Sequence, residues 1–102
     1  MPKIKILIKS LNDESVFNHK IFLSEQAMIS GIERLFCKYI NKDIIEVRVD
    51  AEKSQINLFY ENIIKRSSKY KIIKREPYEG SIPSIDRYHQ HLFLEGISFW
   101  TQ

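Results

Sequence analysis

The run Lys3-Ile4-Lys5-Ile6-Leu7-Ile8-Lys9 restricts the fold more than any other stretch of the chain. Isoleucine recurs at every second position, so Ile4, Ile6 and Ile8 fall on one side of an extended backbone. Lys3, Lys5, Leu7 and Lys9 fall on the other. A helix would scatter both sets around its axis. The stretch is therefore a strand with one buried face, and the rest of the chain must supply an apolar cover for it. At 102 residues the chain forms one domain, 1–102. Folding at this size buries roughly 60–68% of the unfolded surface, enough for one modest core.

Asn12-Asp13-Glu14-Ser15 has turn chemistry, and Ser15-Val16-Phe17-Asn18-His19-Lys20-Ile21-Phe22 reads as a loop leading to a first helix. Ser24 is the expected N-cap of that helix, Leu23 to Ser30, and Gly31 its stop. In the next segment Leu35, Cys37 and Tyr39 alternate with Arg34, Phe36 and Lys38. Glycine inside a helix costs about 1 kcal/mol relative to alanine. Both points favour a strand, Arg34–Ile40, over a helix continued across Gly31. The continued helix, residues 24–40, would instead give a hairpin and a long helix, closer to a β-grasp fold.

Asn41-Lys42-Asp43 makes a hairpin turn into a strand at Ile44–Asp50, with Ile45, Val47 and Val49 inward and Glu46 and Arg48 outward. Asp50 or Ser54 caps a second helix, whose stripe is Ile56, Phe59, Tyr60, Ile63 and Ile64. The last strand, Lys69–Arg75, places Tyr70, Ile72 and Lys74 on one side and Lys71, Ile73 and Arg75 on the other. After Pro77, Gly80 and Pro83, Ser84 caps a helix from Ile85 to Glu95 that ends at Gly96. Its stripe is Ile85, Tyr88, His89, Leu92 and Phe93. The order β-α-β-β-α-β predicts an α+β fold, a ferredoxin-like α/β sandwich with an antiparallel sheet. Residues 3–76 form its core and residues 77–102 a C-terminal extension.

Composition excludes several classes. With 43% hydrophobic residues and only three glycines and three prolines, the chain is neither disordered nor of low complexity. No apolar run approaches the ~18 residues of a membrane span, and no charged-then-apolar leader precedes the first strand. The single cysteine, Cys37, has no intrachain partner, which points to a reduced, cytoplasmic setting. A net charge of +3 favours an anionic small molecule or protein as partner but falls short of a dedicated nucleic-acid binder.

Residues 3–76 resemble the acylphosphatase family. Ala27-x-x-x-Gly31-Ile32 is similar to the family's first helix end, Asn41-Lys42-Asp43-Ile44-Ile45-Glu46-Val47 to its hairpin and third strand, and Ile56-x-x-Phe59 to its second helix. That family cradles a phosphate in a glycine-rich loop, roughly Gly-x-Val-Gln-Gly-Val-x-Phe-Arg, while an Asn on the second strand orients water. The resemblance puts Lys20 near the Arg position and Lys38 near the Asn position. Met1 to Ser30 contains no glycine, so a loop needing positive φ at several positions is not expected. Lysine does not replace a bidentate guanidinium, nor can it accept a hydrogen bond from water.

The expected function is accordingly binding or regulation without catalysis and without a cofactor. The alternative is an acyl-phosphate hydrolase anchored by Lys20. His19, Lys20 and Lys38 are the candidate anion-binding residues. Lys5, Leu7, Lys9, Arg48, Lys71, Ile73 and Arg75 are expected to share the sheet face opposite the helices and to bind a partner. Leu7, Ile73 and Phe36 form an apolar strip there, which the tail helix with Phe99-Trp100, or a partner, would cover. RNA recognition is disfavoured because Leu7 and Ile73 stand where base-stacking aromatics are needed. His89 and His91 diverge on a helix and predict no metal site, and Cys37 reads as a core thiol. The basic run Lys65, Arg66, Lys69, Lys71, Lys74 and Arg75 begins where it complements a helix dipole. The edge strand Arg34–Ile40 leaves a homodimer open.

Overall fold

A computed structural model describes residues 3–11, 16–66 and 69–101, without the side chains of residues 16, 17, 66 and 95–101. The turn expected at residues 12–15 lies outside the described residues. The elements are β1 (Lys3–Ser10), α1 (Val16–Ile29), β2 (Arg34–Tyr39), β3 (Ile44–Asp50), α2 (Lys53–Arg66), β4 (Tyr70–Pro77) and α3 (Ile85–Thr101). The strands form one antiparallel sheet in the order β2-β3-β1-β4. With α1 and α2 in the two crossovers, this is a ferredoxin-like α/β sandwich with an added third helix.

β1 lies inside the sheet, and its alternation holds: Ile6 and Ile8 are fully buried on the helix side. They meet Ile45, Val47 and Val49 of β3, Leu35 and Cys37 of β2, and Leu23, Ala27, Phe59 and Ile63 from the helices in one core. The β2–β3 turn is held by the Asn41 side chain, whose Oδ1 accepts from the N–H groups of Asp43 and Ile44 at 2.9 and 3.1 Å.

Three elements differ from expectation. The first helix begins at Val16, not at Leu23, so the stretch from Val16 to Phe22 is helix rather than loop. Ser24 sits mid-helix, fully buried, with its hydroxyl bonded to His89 Nε2. α1 is flanked by α2 on one side and α3 on the other, with the sheet beneath. It therefore buries His19, Ser24 and Gln26 as well as Leu23 and Ala27, and no single apolar stripe marks it. α3 runs through Gly96 to Thr101. One glycine costs a helix only about 1 kcal/mol, and of the glycines only Gly31 and Gly80 have positive φ among the described residues.

The third difference is in β4. Its register on β1 pairs Leu7 with Lys74 and then Ile8 with Ile72, so Ile73 is skipped in a β-bulge. Beyond the bulge every side chain changes face. Arg75 lies opposite Ile6 on the helix side, while Lys74 and Glu76 share the other face with Leu7 and Lys5.

The extension takes an unexpected course. Tyr78 N–H donates to Lys3 O and Lys3 Nζ to Gly80 O, both at 3.0 Å, so the chain crosses the end of the sheet. Leu35 N–H donates to Pro83 O at 3.1 Å, and Arg34 bridges Ser84. α3 then packs on α1 and β2 through Ile85, Tyr88 and Leu92, beside the helix layer rather than across the open sheet face. The side chains of Phe99 and Trp100 lie outside the described residues. No helix among those described is long and apolar enough to cross a membrane.

α1 ends in a Schellman motif. Ile32 N–H donates to Ala27 O and Gly31 N–H to Met28 O, both at 3.0 Å, with Gly31 at φ +81°. A side chain at this φ is strained, and an added Cβ would stand 3.3 Å from Gln55 Nε2. Gly31→Ala is expected to lower stability by about 1–2 kcal/mol, read as a reduced urea midpoint at unchanged slope.

Candidate functional site

The sheet face away from the helices is a grid that the strand pairing defines. One row is Phe36, Arg48, Lys5 and Glu76; the next is Lys38, Glu46, Leu7 and Lys74; a third holds Ile44, Lys9 and Lys71. Of the residues expected there, Lys5, Leu7, Lys9, Arg48 and Lys71 are present. Ile73 and Arg75 are not, because the bulge removes Ile73 from the ladder and turns Arg75 to the helix side. Strict alternation from Lys69 to Arg75 missed Lys74 and Glu76, and nothing local in that stretch signals a bulge.

Charges on this face are unevenly matched. Arg48 Nε bonds Glu46 Oε2 at 2.7 Å, and its guanidinium lies between two rings, 5.2 Å from the centroid of Phe36 and 4.9 Å from that of Tyr78. Glu76 pairs with Lys74 and, at 3.1 Å, with Lys5. These two lysines, Lys74 more than Lys5, hold its carboxyl below the usual range. Lys9, Lys38 and Lys71 are exposed and have no ion-pair partner among the described residues. Lys9 and Lys71 stand directly opposite each other on adjacent strands.

The three expected anion-binding residues do not converge. Lys38 is on the open face, opposite Glu46. His19 and Lys20 are on α1, across the sheet, and His19 is 1% exposed. It joins two strands to the helix: Nε2 is 3.1 Å from Ser10 Oγ and Nδ1 is 2.5 Å from the Tyr70 hydroxyl. Tyr70 also stacks on Phe22, with centroids 5.2 Å apart. Hydroxyls both donate and accept, so a neutral imidazole is satisfied at both nitrogens whichever tautomer it adopts. The loop reading concealed this network. The polar residues Ser10, His19 and Tyr70 each stand at a helix- or sheet-facing position once the true elements are known.

His89 is half-buried and bonded to Ser24, and His91 is exposed. The described residues contain no group of three or more metal-ligating side chains. Cys37 faces the core from β2. Burial pushes its thiol up to about 12, opposed by the Tyr88 hydroxyl and by the Lys20 charge.

No protein-family model matches the chain, and no curated protein does.

Two outcomes follow. Tyr70→Phe takes one partner from buried His19 and is expected to cost about 1–3 kcal/mol, measured by chemical denaturation. Cys37 is expected to resist a thiol reagent in the native state and to react at the rate of unfolding. Because its folded pKa lies above its unfolded one, its contribution to stability is complete below about pH 9 and declines as pH rises towards 12. The unfolding free energy should fall over that range, and less so in Cys37→Ala.

Proposed function

We propose that this domain is a non-catalytic binding module whose open sheet face takes an acidic protein segment. The observation that carries this reading is the Lys9–Lys71 pair. Like charges directly opposite across a ladder are destabilising, and here two exposed lysines occupy such positions, with Lys38 on the same face two strands from Lys9. An anionic occupant relieves that repulsion. The carboxylates native to the face are already engaged, Glu46 by Arg48 and Glu76 by Lys5 and Lys74.

A protein partner is favoured over nucleic acid because the aromatic rings on this face are occupied. Phe36 and Tyr78 hold the Arg48 guanidinium, and the inner strand β1 offers Leu7 where base stacking needs a ring. In the acylphosphatase-like reading, the domain keeps that family's scaffold without its chemistry. The glycine-free stretch up to Ser30 supports this, as do Lys20 and Lys38 lying on opposite faces of the sheet. A cytoplasmic setting belongs to the same proposal, supported by the lone free thiol of Cys37.

The test uses immobilised poly-L-glutamate. The domain should be retained at low salt and released as ionic strength rises. Lys71→Glu should abolish retention while raising the stability of the free domain by about 0.2–1 kcal/mol. Lys42→Glu, with the same net charge but in the β2–β3 turn, should remain bound. Equal retention of both variants, tighter binding of polyuridylate, or acetyl phosphate turnover that Lys20→Ala abolishes would each overturn the proposal.

A further inference from the structure

A second site lies on the other side of the sheet, between the start of α2 and the β4 edge. It is a hollow of about 420 Å³, within the size range of small-molecule pockets. Ile4, Ile56 and Pro77 give it an apolar floor, and Tyr60, Lys53 and Arg75 supply its polar groups. A further hollow of about 360 Å³ shares Tyr60 and Arg75 and continues the groove along β4.

Three groups at this place are incompletely matched. The Tyr60 hydroxyl is buried, in a residue 9% exposed, and no group accepts its proton. A buried polar group left unmatched is costly, and such groups in native proteins call for an explanation. The Arg75 guanidinium lies over the Tyr60 ring, 5.0 Å from its centroid, and donates towards the phenol oxygen; a guanidinium cannot accept, so the hydroxyl proton is left without an acceptor. Burial raises the Tyr60 pKa, opposed by the hydrogen bond from Arg75 and by its charge; the phenol thus stays a donor at neutral pH. Arg75 and Lys53 form no ion pair among the described residues. Lys53 also opens α2, whose first turn contains no acidic residue, where the helix dipole already favours an anion. Glu76 borders the hollow, but its carboxylate is engaged by Lys5 and Lys74 on the opposite face.

We infer that this groove binds a small monocarboxylate with an apolar tail. The tail lies on Ile4, Ile56 and Pro77, and the carboxylate accepts hydrogen bonds from the Arg75 guanidinium and the Tyr60 hydroxyl, with Lys53 adding charge at the mouth. An apolar floor beside two cations and a waiting donor suits an amphipathic anion better than a neutral or multiply charged ligand. The β-bulge at Ile73 makes the site, since unbroken alternation would have put Arg75 on the other face. The site is thus independent of the basic face proposed above.

The test is titration of the ¹⁵N-labelled domain with octanoate, with octan-1-ol as the uncharged analogue. Octanoate should give saturable shifts centred on Ile4, Ile56, Asn57, Tyr60 and Arg75, with a dissociation constant in the millimolar range or below. Octanol should bind at least about tenfold more weakly, and Arg75→Gln should weaken octanoate by about tenfold or more while leaving octanol unchanged. Arg75 is exposed, so its variant should fold; Tyr60→Phe, which removes only the hydroxyl, should weaken octanoate severalfold. Shifts centred elsewhere, no saturation at millimolar concentration, or equal affinity of wild type and Arg75→Gln would overturn the inference.

Discussion

The two-residue period of β1 is the constraint on which the rest depends. β1 has a partner strand on each side, so the direction of Ile6 and Ile8 decides which residues of β3 and β4 enter the core. Shifting one strand by a residue would move its whole apolar set to the opposite face. On the β3 side no such shift occurs, and Ile45, Val47 and Val49 join the isoleucines directly. On the β4 side the period breaks at Ile73, and that break separates the two candidate sites: the basic grid on one face and the groove holding Arg75 on the other.

Much of this fold was legible in the sequence because the core residues of β1, β2 and β3 recur at every second position. β3 coincides with the reading of Ile44–Asp50, β2 differs by one residue at its end, and Gly31 ends α1 as expected. The start of α1 was not legible, for a physical reason. A helix packed on three sides loses the polar stripe by which helices are recognised, and α1 fills buried positions with His19, Ser24 and Gln26. His19 and Ser24 look like loop or cap residues until their distant partners are known. Ser24 is matched by His89, 65 positions away, and His19 by Tyr70, 51 positions away.

The candidate site divides along the same line. Lys5, Leu7, Lys9, Arg48 and Lys71 were placed correctly because periodicity alone fixes their face. Ile73 and Arg75 were misplaced because a bulge is a property of two strands together, invisible in either one. The position of α3 was likewise hidden. Its stripe of Ile85, Tyr88 and Leu92 says only that it packs on something apolar, while the backbone contacts of Leu35 with Pro83 and of Glu33 with Ile85 select the β2 side.

Those contacts make the two borders of the sheet unequal. Along β2, residues 83–85 and α3 already occupy the outer side, so backbone groups that would attract another strand there are partly spent. β4 has no such cover among the described residues, and it is the border open to a second chain. At its middle the ladder stumbles at Ile73, flanked by Lys71, Lys74 and Arg75. An incoming strand would meet an interrupted hydrogen-bond register and a cluster of positive charge. The irregularity that turns Arg75 to the helix side therefore also makes this border a poor template for another strand.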